Sequence, residues 1–277
     1  MAQQLYRMPA LSPEDELFLQ TVEDDTDDYE ESPWMSMGDA QFRSASALYW
    51  SLRNYTRRAG LPWYVGAMLP IFYPRPRIKR KGQVAPDVLV SFVEDRYRDS
   101  YDLEEEGVCP AFVLEVISSS SVLQDTVKKR RTYRLLGMQE YALFAPDPDA
   151  LRQPALTGYR RTANDRFVAW KPDAQGRLWS RVLELYLVAE GREVHARRPD
   201  GSPLLTPEQE AIERERETLE REQEALERQR LLRQAEQEAL ERQRLLRQAE
   251  QEALERQRLE DEVARLRAEL ERNRHDS

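Results

Sequence analysis

The sequence predicts a mixed α/β body, preceded by an acidic arm and followed by a long charged helix. Three observations carry this. Apolar runs at 112–117 and 141–145 flank a helical stretch at 121–136, the order of a strand, helix, strand crossover. Phe42, Ala45, Tyr49, Leu52 and Thr56 recur at spacings of three and four, the mark of a helix ahead of the sheet. The unit QEALERQRLLRQAE at 223–236 returns unchanged at 237–250 and begins again at 251.

Residues 1–35 are acidic and broken by Pro9, Pro13 and Pro33, so they read as a largely disordered arm with at best a short helical turn at 14–19. Ser36 offers an N-cap for a helix over 38–59, which Gly60 and Pro62 end. Strand signals follow at 63–65, 68–73 and 87–92. Between the last two lies a proline-rich basic connector (Pro74, Arg75, Pro76, Arg77, Lys79, Arg80, Lys81), charged enough to meet phosphate but also typical of a solvated loop.

The polar stretch 94–110 reads as a loop with room for a short helix. Residues 112–117 are apolar apart from Glu115, as in a buried central strand. The run Ser118 to Ser121 supplies candidate N-caps for a helix over 121–136 that Gly137 stops, and 140–145 is the next strand. Further strands are expected at 156–160, 167–170 and 193–197, with Leu183, Leu185 and Leu187 alternating as in a half-buried strand. A helix over 207–272 completes the chain. Its heptad columns mix Leu with Ala and Arg, and only Leu259, Val263, Leu266 and Leu270 keep a clean seam, so it can pair as a coiled coil or stand alone in solvent. The expected division is 1–35, 36–207 and 208–277.

The formal net charge of −9 hides a change of sign along the chain. Residues 13–31 hold ten acids and no base, and 208–277 hold 21 acids against 15 arginines. The body, 32–207, is left with 26 bases against 20 acids, a balance compatible with a polyanionic ligand. Cys109 is the single cysteine, which excludes an intrachain disulfide framework and a cysteine-built zinc site and fits a reducing setting. With no signal pattern at the start and no apolar run near the roughly 20 residues that span a bilayer, the expectation is a soluble cytoplasmic protein with no membrane segment.

The chemistry concentrates at two carboxylates. Asp87 heads one apolar strand and Glu115 lies inside another, positions that are costly unless a cation or hydrogen-bond donors satisfy them. If the strands are neighbours and the side chains share a face, the pair, with a backbone carbonyl at Val116 and waters, forms a hard-oxygen site for Mg²⁺ or Mn²⁺. Lys129 sits four residues after Asp125 and four before Tyr133, so the three share a helix face and Asp125 can hold the lysine. Lys128 is the alternative ammonium, turned about 100° around the helix. Each piece also has a plain explanation: Pro-Asp is a common turn, a lone strand glutamate can pair with an arginine, and a Lys/Arg cluster is usually a solvated face.

The blocks PDVLVSF, PAFVLEVISSSS preceded by SYDLEEEG, DTVKKRRTYRLLGMQEYALFAPDP, LTGYRR, GRLWSRVLELYL and LLTPEQE, in that order over about 36–210, resemble the putative restriction endonuclease family common in cyanobacteria, within the PD-(D/E)XK nuclease superfamily. The resemblance implies a restriction-endonuclease-like core, a mixed sheet flanked by helices, with the charged tail as a long coiled-coil-like helix. It implies a metal-dependent DNA endonuclease, with Asp87 and Glu115 as metal ligands and Lys129 supplied from the following helix. DNA is then the expected partner, with a homodimer through the nuclease domain or the helix.

Three departures from the family pattern stand out. Ile117 occupies the place two after Glu115 where the superfamily has lysine, so catalysis depends on Lys129. The first helix offers Asp39 and Gln41 but no glutamate. Where relatives read EYW-x-x-D-P, this chain has Ala142 and Ala145. The alternative expectation is a protein of the same fold, weakly active or inactive, that binds nucleic acid or a protein partner and assembles through its tail. A third makes the tail the working part.

Overall fold

A computed structural model of the chain describes residues 8–22, 24, 39–118 and 121–275, with side chains to 266. The chain divides into two compact units, 1–210 and 211–277. In the first, α1 (Pro13–Thr21) and α2 (Asp39–Ala59) precede β1 (Tyr64–Ala67), β2 (Ile71–Tyr73), β3 (Gly82–Val84), β4 (Val88–Ser91) and β5 (Tyr101–Asp102). Then come α3 (Leu103–Glu106), β6 (Phe112–Val116), a π-helical turn (Gln124–Lys129), α4 (Arg130–Leu136), β7 (Glu140–Phe144) and α5 (Pro148–Leu151). β8 (Leu156–Arg161), β9 (Phe167–Trp170), β10 (Leu178–Ser180), β11 (Leu185–Glu190), β12 (Glu193–Arg197) and the long α6 (Pro207–His275) follow.

The main sheet has the order β1-β4-β6-β7-β8-β9 and is mixed, because β6 and β7 run parallel while the other pairs are antiparallel. The π turn and α4 form the crossover that a parallel pair requires. Side chains alternate across the sheet. Val88, Val90, Leu114 and Val116 pack toward Leu48 and Leu52 of α2 and Leu187 of β11. Leu89, Val113, Tyr141 and Leu143 face the other way, toward Tyr133 and Leu136 of α4 and Leu19 of α1. Two small sheets, β10-β11-β12 and β3-β2-β5, complete the body.

Several expectations need correction. The arm over 1–35 is folded where it is described: Ser12 caps a nine-residue α1, and Leu19 is fully buried. The acids find counter-charges on the body, with Asp15 2.9 Å from Arg131 and 3.1 Å from Arg134, and Asp24 3.1 Å from Arg80. Burial pushes the Asp15 carboxyl up, but the Arg131 hydrogen bond, helped by Ser12 and Arg134, holds it below the usual range. The connector is spoken for in the same way, since Arg75 binds Asp24, Arg77 binds Glu16, and Lys81 binds Asp102 and Glu104.

The strand expected at 68–73 is cut to β2 because Met68 adopts a left-handed φ of 51°. β3, β5 and β10 were not anticipated, and the alternating run at 183–187 enters its strand only at Leu185, after Glu184 turns through φ 54°. The Ser36 cap lies outside the described residues.

Glu140 is the strand glutamate that the ion-pair explanation fits. Arg160 Nε donates to it at 2.8 Å and the Arg181 N–H at 2.9 Å, and Ser180 Oγ donates at 2.5 Å. The bonds tie β7 to the turn after β10. Ala142 is fully buried opposite Gly158, and a Cβ on Gly158 would meet Trp170 Cε3 at 2.9 Å and the Tyr141 carbonyl at 2.6 Å. Trp170 therefore packs close against this strand pair.

In the second unit the helix continues with its repeat leucines exposed, Leu226 at 66% and Leu245 at 62%. Pairs such as Arg216–Glu220, 2.9 Å apart, line its surface at one-turn spacing.

Candidate active site

The antiparallel register of β4 and β6 pairs Val88 with Leu114 and Leu89 with Val113. One step further along the same register sets Asp87 opposite Glu115, and opposed residues project to the same face. Both therefore point to the side that α4 covers. The two carboxyls are 6% and 2% exposed.

Each carboxylate is held by the chain around it. Asp87 Oδ2 accepts the Val116 N–H at 2.6 Å, and Oδ1 accepts Gln41 Nε2 at 3.1 Å. Glu115 Oε1 accepts the Tyr133 hydroxyl at 2.5 Å and lies 3.2 Å from Lys129 Nζ. The lysine also sits 3.5 Å from Asp125 Oδ1 and donates to the Ala85 carbonyl at 3.3 Å. Tyr141 Oη donates to the Asp125 carbonyl at 2.7 Å, fixing the π turn to the sheet. Burial raises Asp87 above the usual carboxylate range, against the pull of the Val116 N–H, Lys129, Gln41 and Glu115.

Of the residues singled out in the sequence, Asp87, Glu115, Asp125, Lys129 and Tyr133 come together. Lys129 is an ammonium in contact with both Glu115 and Asp125. Val116 enters through its N–H, which fixes Asp87, while its carbonyl is the group expected to face a metal. Gln41 stands in the first turn of α2, and nothing in its sequence surroundings announces that it reaches Asp87. The π turn was also hidden, since no residue pattern distinguishes it from the α-helix expected there. Beside the site, the Met68 N–H donates to the Asp87 carbonyl at 3.1 Å from its left-handed backbone, a local strain next to the carboxylates.

The donor set suits a hard divalent cation. Three buried carboxylates lie here, Glu115 and Asp125 against the Lys129 ammonium and Asp87 across from Glu115, and net negative charge away from water favours a bound cation. Among the described residues no group of three or more His, Cys, Asp or Glu side chains is arranged to hold a metal. The ion would therefore rest on the Asp87–Glu115 pair and backbone oxygen, with Asp125 behind the lysine.

Comparison with known proteins gives one family and one structural likeness of note. A family model described as a putative restriction endonuclease, Uma2, matches residues 31–187. No curated protein matches. Among solved structures, a putative nuclease belonging to DUF820 from Anabaena variabilis ATCC 29413 is 15% identical, with the match covering 51% of this chain and 72% of that one at a TM-score of 0.35. No helix among the described residues is long and apolar enough to cross a membrane.

Proposed function

This chain belongs to the putative restriction endonuclease family Uma2, and from that membership we propose that it is a metal-dependent DNA endonuclease whose centre is the Asp87–Glu115 pair. The observation that carries the proposal is the placing of two buried carboxylates on one face of neighbouring strands, with the Lys129 ammonium 3.2 Å from one of them. Asp87, Glu115 and the Val116 carbonyl would hold Mg²⁺ or Mn²⁺. Bound there, the ion would polarise a phosphodiester oxygen and lower the pKa of its water.

The chain's own groups do the rest. The Val116 N–H and the Gln41 amide fix one carboxylate, and the Tyr133 hydroxyl fixes the other, so neither has to reorganise when substrate arrives. Lys129 neutralises negative charge that develops on the phosphate, or orients the attacking water, from a helix instead of from the strand position that Ile117 fills. Asp125 and the Ala85 carbonyl keep its ammonium aimed at Glu115.

One observation favours a second reading. Glu115 is already bonded to Tyr133 and Lys129 and is 2% exposed, as in a closed structural cluster of a protein that binds DNA without cutting it. Nicking of supercoiled plasmid separates the two. Cleavage that requires Mg²⁺ or Mn²⁺ and disappears in Glu115→Ala supports the enzyme; DNA binding of unaltered affinity in that variant, with no cleavage by the parent protein, supports the binder.

A further inference from the structure

The helix that delivers Gln41 to Asp87 carries a second feature that the metal centre leaves unused. α2 buries Ala45, Leu48 and Leu52 against the core. On a helix turning about 100° per residue, Phe42, Ser46, Tyr49, Trp50, Arg53 and Arg57 fall on one stripe that runs from the edge of that face, where Tyr49 packs against the core, round to the solvent side. Phe42 is 52% exposed and Trp50 48%. Single exposed apolar residues are ordinary on a protein surface, but these align with each other and with cations.

The stripe is organised. The Tyr49 and Trp50 rings meet edge to face, 4.9 Å between centroids. The Arg53 guanidinium lies 5.7 Å from the centre of the Tyr49 ring and donates to its hydroxyl at 2.5 Å. Arg53 and Arg57 share the single carboxylate of Asp95, each at 3.6 Å, so positive charge is left over. Phe42 adjoins Gln41 in the first turn of α2, the end of the helix from which Gln41 reaches Asp87.

We propose that this stripe is a stacking track for single-stranded DNA, leading unpaired bases to the Asp87–Glu115 centre. Exposed aromatic faces bind bases whose own faces are free, and guanidinium groups take the phosphates between them. Duplex DNA keeps its base faces within the stack, so it gains little from Phe42 and Trp50. Phe42 to Arg57 spans about 22 Å at the helical rise of about 1.5 Å per residue, enough for several nucleotides. The leftover positive charge favours a polyanion over an apolar protein surface. The inference rests on the nuclease reading only for what the track feeds.

The test is binding of fluorescently labelled oligo(dT), long enough to span the track, and of a duplex of equal length, to the full chain in EDTA. Phe42→Ala/Trp50→Ala, with unchanged thermal melting, is expected to weaken oligo(dT) binding about tenfold or more while changing duplex binding by less than about threefold. Arg57→Gln is expected to reduce the salt dependence of oligo(dT) binding by about one phosphate contact. Failure of the parent protein to bind oligo(dT), unchanged oligo(dT) affinity in the double variant, or equal losses for oligo(dT) and duplex would each overturn the track. Loss of self-association with unchanged oligo(dT) binding would assign the stripe to a protein contact instead. Metal-dependent nicking is scored separately: a double variant that loses oligo(dT) in a protein that never nicks leaves the track standing and removes the nuclease.

Discussion

Lys129 Nζ lies 3.2 Å from Glu115 Oε1, so the helix after β6 brings to the carboxylate the ammonium that the strand itself lacks. Ile117, two residues beyond Glu115, is 2% exposed and packs in the α4-side core with Leu143 and Tyr133. If the lysine has moved to the helix, Lys129→Met should lower the nicking rate about a hundredfold or more, the scale of removing one group that stabilises a charged transition state. Lys128→Met should stay within about threefold. Equal losses in the two variants would point to a general effect of charge on DNA binding.

Tyr133 is fully buried and donates to Glu115 at 2.5 Å. Tyr133→Phe keeps the ring and deletes the hydroxyl, leaving a buried carboxylate short of a donor, at a cost of about 1–3 kcal/mol. Denaturant unfolding should show that loss. Nicking by the folded variant should need more metal, because Glu115 is no longer held. A midpoint equal to that of the parent protein would mean the hydroxyl is dispensable to the cluster.

Asp87 is kept above the usual carboxylate range by burial. A buried acid with a raised pKa favours the folded state while protonated, and loses that advantage as pH rises from its unfolded value, 3.8, through its folded one. At neutral pH and without divalent metal, Asp87→Asn should therefore raise the melting temperature, with a gain that shrinks as pH falls toward 4. The same substitution should abolish stabilisation by added Mn²⁺. A variant less stable than the parent in EDTA would show that the carboxylate is favourably paired within the protein.

Burial pushes the Cys109 thiol from 9.0 up to about 12. The folded protein keeps this proton while the unfolded chain releases it, so Cys109 takes stability away as pH rises between those two values. Relative to Cys109→Ala, the parent protein should lose about 1.4 kcal/mol for each pH unit above 9. The check is the difference between the two denaturation midpoints at pH 8 and pH 10. An unchanged difference would mean the thiol ionises as easily in the native state.

Gly158 has no room for a methyl group between the Tyr141 carbonyl and Trp170. Gly158→Ala should destabilise by about 1–3 kcal/mol, the usual cost of overpacking a core, read as a lower denaturant midpoint. A neutral result would mean that β8 and β9 shift freely.

Much of this architecture was legible in the sequence. The apolar runs after Asp87 and around Glu115 marked two buried strands and their carboxylates, and the antiparallel register of β4 and β6 then sets Asp87 opposite Glu115. The spacing of four from Asp125 to Lys129 to Tyr133 brought all three to one place, despite a π turn between the first two. What stayed hidden depends on contacts between distant segments. The acids of α1 resemble a solvated tail until Arg131 and Arg134 are placed beneath them. Short strands such as β3 and β5 carry too few residues to show a period, and Gln41 reaches Asp87 only because α2 begins beside the start of β4.

The most direct measurement is titration of Mn²⁺ into the purified full chain by calorimetry or electron paramagnetic resonance, repeated in Asp87→Asn and Glu115→Gln. Saturable binding by the parent protein that is lost in both variants, alongside loss of plasmid nicking, is the predicted result. Undiminished Mn²⁺ binding when both carboxylates have been replaced, or no binding by the parent protein, would contradict the assignment of the Asp87–Glu115 pair as the metal centre.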